Sequence, residues 1–209
     1  MTITSEQREA LVSARDTFEI VALATSAGGL HALSEILSKL PADFPAPIVV
    51  VQHLDPRHRS LMAEILSRRT ELQVKQAQTE DELAPGMVYI APPDHHLLVN
   101  ADGTLSLSHS ELVHFVRPSA DLLFESVAAS YRERAIAVVL TGAGRDGAMG
   151  IEAVKKMGGT TIAQDDETAE YSGMPSAAIA TRKVDFVLTL DEIPPALVTL
   201  VMKGQGGSE

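Results

Sequence analysis

The sequence predicts a three-layer α/β/α sandwich built on a mostly parallel β-sheet. Short runs such as EIVALAT, PIVVVQH and AIAVVLT are rich in valine and isoleucine and apolar at nearly every position, which is typical of strands buried on both faces. Segments with helical periodicity lie between these runs, and a helix is the usual connection between parallel strands. These two observations favour βαβ units for most of the chain.

The elements follow one another from residue 18 onwards. The first half of the chain alternates strand EIVALAT, helix GLHALSEILSKL, strand PIVVVQH and helix SLMAEILSRR. The second half alternates helix RPSADLLFESVAASYRE, strand AIAVVLT, helix DGAMGIEAVKKMGG, strand TTIAQD, short helix PSAAIAT, strand VDFVLT and helix DEIPPALVTLVMK. Pro194 and Pro195 fit the first turn of the last helix.

The middle of the chain departs from this pattern. Two alternating segments flank Ala101, Asp102 and Gly103, and an Asp-Gly pair between such segments is a strong hairpin signal. We therefore expect an antiparallel hairpin near residues 97 to 108, at an edge of the main sheet. His95 and His96, just before it, could line the site, but a structural role in the hairpin is the preferred interpretation.

Length and composition indicate one domain, at residues 18–202. A chain of 209 residues with 45% hydrophobic residues is long enough for one substantial core. We expect residues 1–17 to be a polar extension and residues 203–209 to be a flexible tail. The N-terminus does not resemble a signal peptide and no apolar run approaches a membrane span, so we expect a cytoplasmic protein without membrane insertion.

Composition also excludes several kinds of chemistry. The chain has no cysteine, which rules out disulfides, a thiol nucleophile and a cysteine-ligated metal. Its histidines lack the spacing of zinc ligands, so no metal is expected. The formal net charge of -11 argues against a nucleic-acid partner, because phosphate binding depends on clustered lysine and arginine.

Three polar turns come just after predicted strands, where open parallel sheets place their ligands. In the first, TSAGG, Ser26 lies among small residues in a pattern that suits a nucleophile elbow. Alone, this pattern more often makes a plain turn or a phosphate-binding loop. In the second, VVVQH, His53 either acts as a general base or caps the strand end.

The third turn, GAGRDG, holds Asp146 near the start of a helix. A carboxylate there is stabilised by the helix and can accept a hydrogen bond from a histidine. The competing interpretation is that Asp146 caps the helix that begins near Gly147. Each turn alone is ambiguous, but together the three turns indicate a Ser-His-Asp triad.

Six segments carry a family resemblance, in the same order along Glu19 to Val201: ATSAGG, VQH, GMVYIAPPDHH, RPSADLLFESVA, LTGAGRDGAMG and GMPSAAI. They resemble the catalytic domain of the bacterial chemoreceptor methylesterases, the CheB family. The resemblance implies hydrolysis of γ-glutamyl methyl esters and, in some members, deamidation of glutamine, without a cofactor. It implies that Ser26 is the nucleophile, His53 the general acid and base, and Asp146 the orienting carboxylate. The implied oxyanion and pocket residues are Ala27, Gly28, Ala143, Gly144 and Arg117.

The chain departs from the family pattern at three positions. Ala27 stands where the family usually has threonine, Ala143 where it usually has methionine, and Val116 where members often have histidine. The first two changes keep the backbone amide, so an oxyanion hole can still form. The shape of the pocket and its preference among esters are left open.

The resemblance also implies partners. The expected substrate is a methylated cytoplasmic helix of a chemoreceptor, or a similar methylated signalling protein. Family members usually carry an N-terminal receiver domain of about a hundred residues, which does not fit into residues 1–17. The chain is therefore either free-standing or a piece of a longer polypeptide, and a separate regulatory protein is a candidate partner.

Two alternatives stay open. A dinucleotide-binding fold is suggested by the glycines after strands, but the first turn lacks the spaced third glycine, and His53 stands where the next strand end should hold an acid. The second alternative is a catalytically silent binding module on the esterase fold, since a fold alone does not establish an activity.

Overall fold

A sheet of seven parallel strands forms the centre of the protein in a computed structural model that describes residues 18–54 and 60–203. Its strands are β1 (Ile20–Thr25), β2 (Ile48–Gln52), β3 (Gln73–Gln76), β4 (Met87–Ile90), β7 (Ala135–Val139), β8 (Thr160–Gln164) and β9 (Phe186–Leu188). Their order across the sheet is β3-β4-β2-β1-β7-β8-β9. The parallel sheet predicted from the apolar runs is confirmed.

Helices cover both faces of this sheet. They are α1 (Gly29–Leu37), α2 (Met62–Leu66), α3 (Ala120–Tyr131), α4 (Ala148–Lys156), α5 (Gly173–Ala180) and α6 (Ile193–Lys203). One core joins the sheet to α1, α2 and α6, and a second core joins it to α3, α4 and α5. Successive strand residues enter opposite cores, as Leu23 and Ala24 do in β1, because side chains alternate along a strand. The predicted three-layer sandwich is confirmed.

The hairpin is antiparallel, as expected, with strands β5 (His96–Val99) and β6 (Leu105–Ser108). It forms a separate two-stranded sheet, so the edge position expected from the sequence is wrong. The apolar side chains of Leu97 and Leu105 are fully buried in the core that contains α3. Burying that apolar face against a helix gives the hairpin a hydrophobic contact that an exposed sheet edge would not supply.

The strand order creates a switch point between β1 and β7. The chain runs from β1 to β2 and β4 on one side, and from β7 to β8 and β9 on the other. Ligands of open parallel sheets bind at the carboxyl ends of the strands at such a point. Ala24 is in register with both Val51 and Val139, so the turns that follow these three strands meet at one edge.

The ends of the chain are only partly covered. The predicted extension at residues 1–17 lies outside the described residues. Of the predicted tail at residues 203–209, only Lys203 is described, and it still belongs to α6. Among the helices of residues 18–54 and 60–203, none combines the length and the apolar character needed to cross a membrane.

Gly150 tests the packing of α3 against α4. A Cβ at this position would lie 2.5 Å from the Cβ of the buried Phe124. Alanine normally favours a helix over glycine, but overpacking opposes that gain here. We expect Gly150→Ala to lower the free energy of unfolding by about 1–2 kcal/mol in urea denaturation. Glu152→Ala, at an exposed position of the same helix, should stay within about 0.5 kcal/mol of wild type. Equal stability of the two variants would contradict this account.

Candidate active site

Ser26 lies in a tight turn between β1 and α1. Its amide donates to the carbonyl of Thr141 at 3.0 Å, and its carbonyl accepts from the amide of Gly29 at 3.0 Å. Gly28, at φ 78°, precedes the helix in the left-handed conformation that glycine adopts freely. The Ser26 side chain is half-buried. The turn therefore has the strand-to-helix geometry that the TSAGG pattern indicates, at the carboxyl edge of the sheet.

The turn after β7 packs directly against the Ser26 turn. A Cβ at Gly142 would lie 2.9 Å from the Cβ of Ser26 and 2.3 Å from the Sδ of Met174. No side chain fits there, so the close approach of the two turns requires glycine at position 142.

His53 follows β2 and is the neighbour of Ser26 in the sheet register. Thr25 is paired with Gln52, and the amide of His53 donates to the carbonyl of Thr25 at 3.1 Å. The side chain of His53 is 14% exposed, and its Nε2 lies 2.8 Å from Oδ2 of Asp146. Because Nε2 faces the carboxylate, Nδ1 is the nitrogen left to serve a nucleophile. Within the described residues, the Ser26 hydroxyl makes no hydrogen bond to this ring.

The carboxylate of Asp146 accepts three further hydrogen bonds. Oδ1 accepts from the hydroxyl of Ser119 at 2.9 Å and from the amide of Asp121 at 3.1 Å, and Oδ2 accepts from the amide of Ala120 at 2.6 Å. These donors form the N-terminus of α3, where the helix dipole favours a negative charge. Asp146 is 4% exposed, so its charge is buried among donors.

The competing interpretation, in which Asp146 caps its own helix, is wrong. In the described residues, the carboxylate of Asp146 accepts from donors of His53 and the start of α3, and from no amide of α4. The amides of Gly147 and Gly150 donate instead to Oδ1 of Asp121, at 2.9 and 2.8 Å. Each helix start is thus bound by an acid from the other helix region. Asp146, just before α4, binds the start of α3, and Asp121, in the first turn of α3, binds the start of α4.

The two carboxyls differ in their ionisation. Burial opposes the charged form of Asp146, but the hydrogen bonds from His53 and from the amide of Ala120 outweigh it, and the pKa of Asp146 lies below its usual value. Burial raises the pKa of Asp121 to about 6, with a further contribution from the charge of Asp146. The structure therefore places a carboxyl with a lowered pKa beside one that takes up a proton in mildly acidic solution.

Four of the expected oxyanion and pocket residues leave their amides unused. Within residues 18–54 and 60–203, no hydrogen bond is donated by the backbone N–H of Ala27, Gly28, Ala143 or Gly144. Unpaired amides at two facing turns beside a serine are what an oxyanion hole requires. They remain candidates for that role.

Arg117 is placed differently from the other pocket candidates. Its Nε and Nη2 donate to Oδ1 of Asp94 at 2.9 and 2.6 Å, and its Nη1 donates to the carbonyl of Ser110 at 2.5 Å. In the part of the chain that the structure describes, the guanidinium makes no hydrogen bond to Ser26 or His53. These contacts support a structural role in the loop before α3.

His96 connects the hairpin to this site. The ring is fully buried, its Nδ1 accepts from the amide of Ser119 at 3.1 Å, and its Nε2 lies 3.0 Å from the carbonyl of Glu111. Both contacts require the tautomer with the proton on Nε2. His96 therefore has a structural role, as expected, and it holds the serine that donates to Asp146.

The role of Gln52 was not indicated by the sequence beyond a polar residue after three valines. Its side chain is 5% exposed, and its Nε2 donates to the carbonyls of Ser26 at 2.7 Å and His53 at 2.9 Å. Its buried Oε1 has no partner within the described ranges. One amide group therefore bridges the backbones of two candidate catalytic residues.

A cavity of about 510 Å³ opens beside the serine. The side chains that line it include Leu30, His31, Leu54, Met62 and Arg69. Its wall is mostly apolar and carries one guanidinium. In the described residues, no group of three or more histidine or acidic side chains could hold a metal ion.

The site combines a serine in a tight turn with a buried histidine-carboxylate pair one strand away. Unused amides lie in the facing turn. This combination defines a candidate serine-hydrolase site. The model of the family described as CheB methylesterase matches residues 21–197 of this chain. The chain belongs to the CheB methylesterase family.

Named relatives agree with this assignment. A Leptospira interrogans protein, provisionally named a protein-glutamate methylesterase/protein-glutamine glutaminase, is 42% identical over 183 residues, which are 88% of this chain and 95% of that protein. The Thermotoga maritima protein of the same name is 42% identical over 186 residues, 88% of this chain and 54% of that protein. The chain thus spans about half the length of the second relative.

A solved structure confirms the fold. The catalytic domain of the Thermotoga maritima CheB methylesterase superimposes with a TM-score of 0.85 at 42% sequence identity. The match covers 89% of this chain and all of that domain. The dinucleotide-binding alternative is therefore wrong, because the turn glycines belong to an esterase fold.

Gln52→Met tests the bridge between the Ser26 and His53 backbones. Methionine keeps the length of the side chain but removes both donors. Since small misplacements of catalytic groups lower rates strongly, we expect the turnover number for ester hydrolysis to fall about 10- to 100-fold with little change in KM. Gln76→Met, at an exposed strand end, is the matched control. A folded Gln52→Met protein with turnover within about twofold of wild type would contradict the bridging role.

Asp121→Asn tests the ionisation of the buried acid. Because the folded-state pKa is raised, the stability that Asp121 contributes is present below about pH 4 and lost as the pH rises through about 6. Asparagine does not ionise, so the variant does not lose this stability as the pH rises. We expect the free energy of unfolding of Asp121→Asn relative to wild type to rise by up to about 3 kcal/mol from pH 4 to pH 8. Urea denaturation at several pH values measures it.

Asp191→Asn is the control for this titration. Asp191 is exposed, and its hydrogen bond from Lys39 lowers the pKa of the carboxyl, so its stabilising contribution is present at neutral pH and lost in acid. The Asp191→Asn protein should show no rise relative to wild type over the same range. A difference between Asp121→Asn and wild type that stays constant with pH would contradict the raised pKa.

Proposed function

We propose that this protein removes methyl groups from γ-glutamyl methyl esters through a triad of Ser26, His53 and Asp146. The observation that carries the proposal is the 2.8 Å contact between His53 Nε2 and Asp146 Oδ2 at the strand next to Ser26. Membership of the CheB methylesterase family supplies the reaction class.

The first half-reaction forms an acyl-enzyme. The Oγ of Ser26 attacks the ester carbonyl carbon while Nδ1 of His53 takes the hydroxyl proton. The carbonyl oxygen becomes an oxyanion, which accepts hydrogen bonds from the amides of Ala27 and Ala143. The bond to the methoxy oxygen then breaks, and that oxygen takes the proton from His53 and leaves as methanol.

The second half-reaction restores the enzyme. His53 removes a proton from a water molecule, whose oxygen attacks the acyl carbon. The bond to Ser26 Oγ breaks, Oγ recovers the proton and a free glutamate side chain is released. The same steps on an amide release ammonia, which accounts for the glutaminase activity in the relatives' names; we extend that activity to this chain as part of the proposal.

Asp146 sets the tautomer of His53 in this scheme. The proton on Nε2 is held by the carboxylate, so Nδ1 carries the lone pair that accepts the serine proton. The ring is used in the opposite sense to the serine-protease template, in which Nδ1 faces the carboxylate. Asp146 also stabilises the imidazolium formed in each half-reaction, and its lowered pKa keeps it ionised for this role.

We assign methylated cytoplasmic helices of chemoreceptors, or a similar methylated signalling protein, as the substrate, with a separate protein as regulator. The apolar lining of the cavity beside Ser26, formed by Leu30, Leu54 and Met62, suits the methylene chain and methyl group of a glutamyl ester. We place the reaction in the cytoplasm, where such helices would be available.

A catalytically silent binding module is the alternative function. The four donors around the buried carboxylate of Asp146 argue against it. Burying a charge costs free energy unless it is fully hydrogen-bonded, and docking a receptor does not require a histidine bound to that charge.

Methanol release from methylated receptor membranes tests the proposal. Ser26→Ala and His53→Ala should each lower the rate by at least about 10³-fold, and the double variant should be little worse, because the groups act as a unit. Ser67→Ala, at an exposed serine, should match wild type. Wild-type release no greater than that of Ser26→Ala would favour the binding module.

A further inference from the structure

We propose that Asp121 is a positioning residue of the esterase, which holds the turn that carries Asp146 and adds its charge to that of the triad. The inference rests on the proposed function and extends it to a second buried carboxylate. Asp121 is 3% exposed and is not needed for any step of the reaction described above.

The geometry of the turn carries the first half of the proposal. Oδ1 of Asp121 accepts from the amide of Gly147, the residue next to Asp146, and from the amide of Gly150 one turn further along. Asp146 reaches back to accept from the amide of Asp121. Each acid therefore fixes the backbone from which the other projects, and Asp146 cannot shift relative to α3 without breaking both sets of bonds.

The surroundings of Asp121 carry the second half. Its Oδ2 has no hydrogen-bond partner in the described part of the chain, and Nε2 of the half-exposed His114 lies 3.7 Å away. Both residues border a cavity of about 430 Å³, to which the turn and α4 contribute Arg145 and Glu152. From α5 the cavity receives Ala177, Ala180 and Thr181, which do not titrate.

Asp121 is thus a neighbour of Asp146, whose carboxylate contacts His53. A second negative charge at this place stabilises the imidazolium of His53, since buried charges interact strongly over short distances. Protonation of Asp121 in mildly acidic solution, which its raised pKa of about 6 allows, withdraws this support. In this proposal the pH dependence of the reaction depends on the charge of Asp121 as well as on the histidine.

The test is the pH–rate profile of methanol release between pH 5 and pH 8.5 for wild type, Asp121→Asn and Asp185→Asn. Asparagine at 121 keeps an oxygen for the amides of Gly147 and Gly150 but removes the charge. We expect the acid limb of kcat/KM for Asp121→Asn to move to lower pH by about half a unit or more. The reason is that the imidazolium loses a neighbouring negative charge.

Asp185 is the matched control. Its carboxylate also accepts from a backbone amide, that of Thr161, at 3.0 Å, and pairs with Lys155. It precedes β9 and so lies at the opposite end of the sheet from Asp146. Asp185→Asn should therefore leave the acid limb of kcat/KM at the same pH as in the wild type.

Asp121→Ala tests the positioning role. It removes the oxygen that accepts from both amides, and we expect kcat at pH 8 to fall about 10- to 100-fold with KM unchanged. Asp121→Asn should recover most of that loss. If the role of Asp121 is purely structural, the substitutions should lower the melting temperature. They should then leave the acid limb of kcat/KM at the wild-type pH and should not lower kcat selectively over KM.

The outcomes are distinguishable. A wild-type protein that releases no methanol defeats the proposed function. An active wild type with an Asp121→Asn profile that superimposes on its own overturns the present inference. If the variants do not fold, an NMR titration of the His53 ring in the wild type decides: two inflections support coupling to Asp121, and a single-group curve overturns it.

Discussion

The burial of the Asp146 carboxylate at the start of α3 is the interaction on which the site depends. It brings the turn after β7 to a helix that precedes β7 in the chain, across 25 to 27 residues. His96 extends the contact to the hairpin through the amide of Ser119. Hydrogen bonds therefore connect the hairpin, α3 and the edge of the sheet through the carboxylate of Asp146. From its place on α3, where Leu97 and Leu105 are buried, the hairpin also holds Ser119, one of the donors to the carboxylate.

The sheet register does the rest of the positioning. Neighbouring parallel strands place Ser26 beside His53, although their side chains make no hydrogen bond to each other in the described structure. Gln52 donates to both of their backbone carbonyls. The helices influence the ionisation of Asp146 and Asp121, since both buried carboxyls lie at helix N-termini. Hydrogen bonds from such amides favour the ionised form, whereas burial and like charge oppose it. The two acids have opposite pKa shifts because His53 donates to only one of them.

The sequence predicted the features that depend on local pattern. Apolar runs indicated parallel strands, and small residues around Ser26 and Asp146 indicated tight turns at their ends. Features that depend on contacts between distant segments were missed. Asp121 looks like an ordinary acid in the first turn of a helix, and only the three-dimensional structure places it against Gly147. Strand β3 has the polar composition of a surface segment and was not singled out. The hairpin was recognised from its turn, but no local signal reports which surface covers it.

The turn after β7 packs so closely against Ser26 that its residues differ in how freely they can be substituted. A side chain at 142 would have to displace the side chains of Met174 and Ser26. Ala27 and Ala143 offer backbone amides, and their side chains are free to change without altering those donors. Relatives that differ in the esters they prefer are thus expected to differ at 27 and 143 while keeping 142 constant. Larger side chains could therefore be introduced at 27 and 143 one at a time, to change substrate choice without removing an amide of the oxyanion hole.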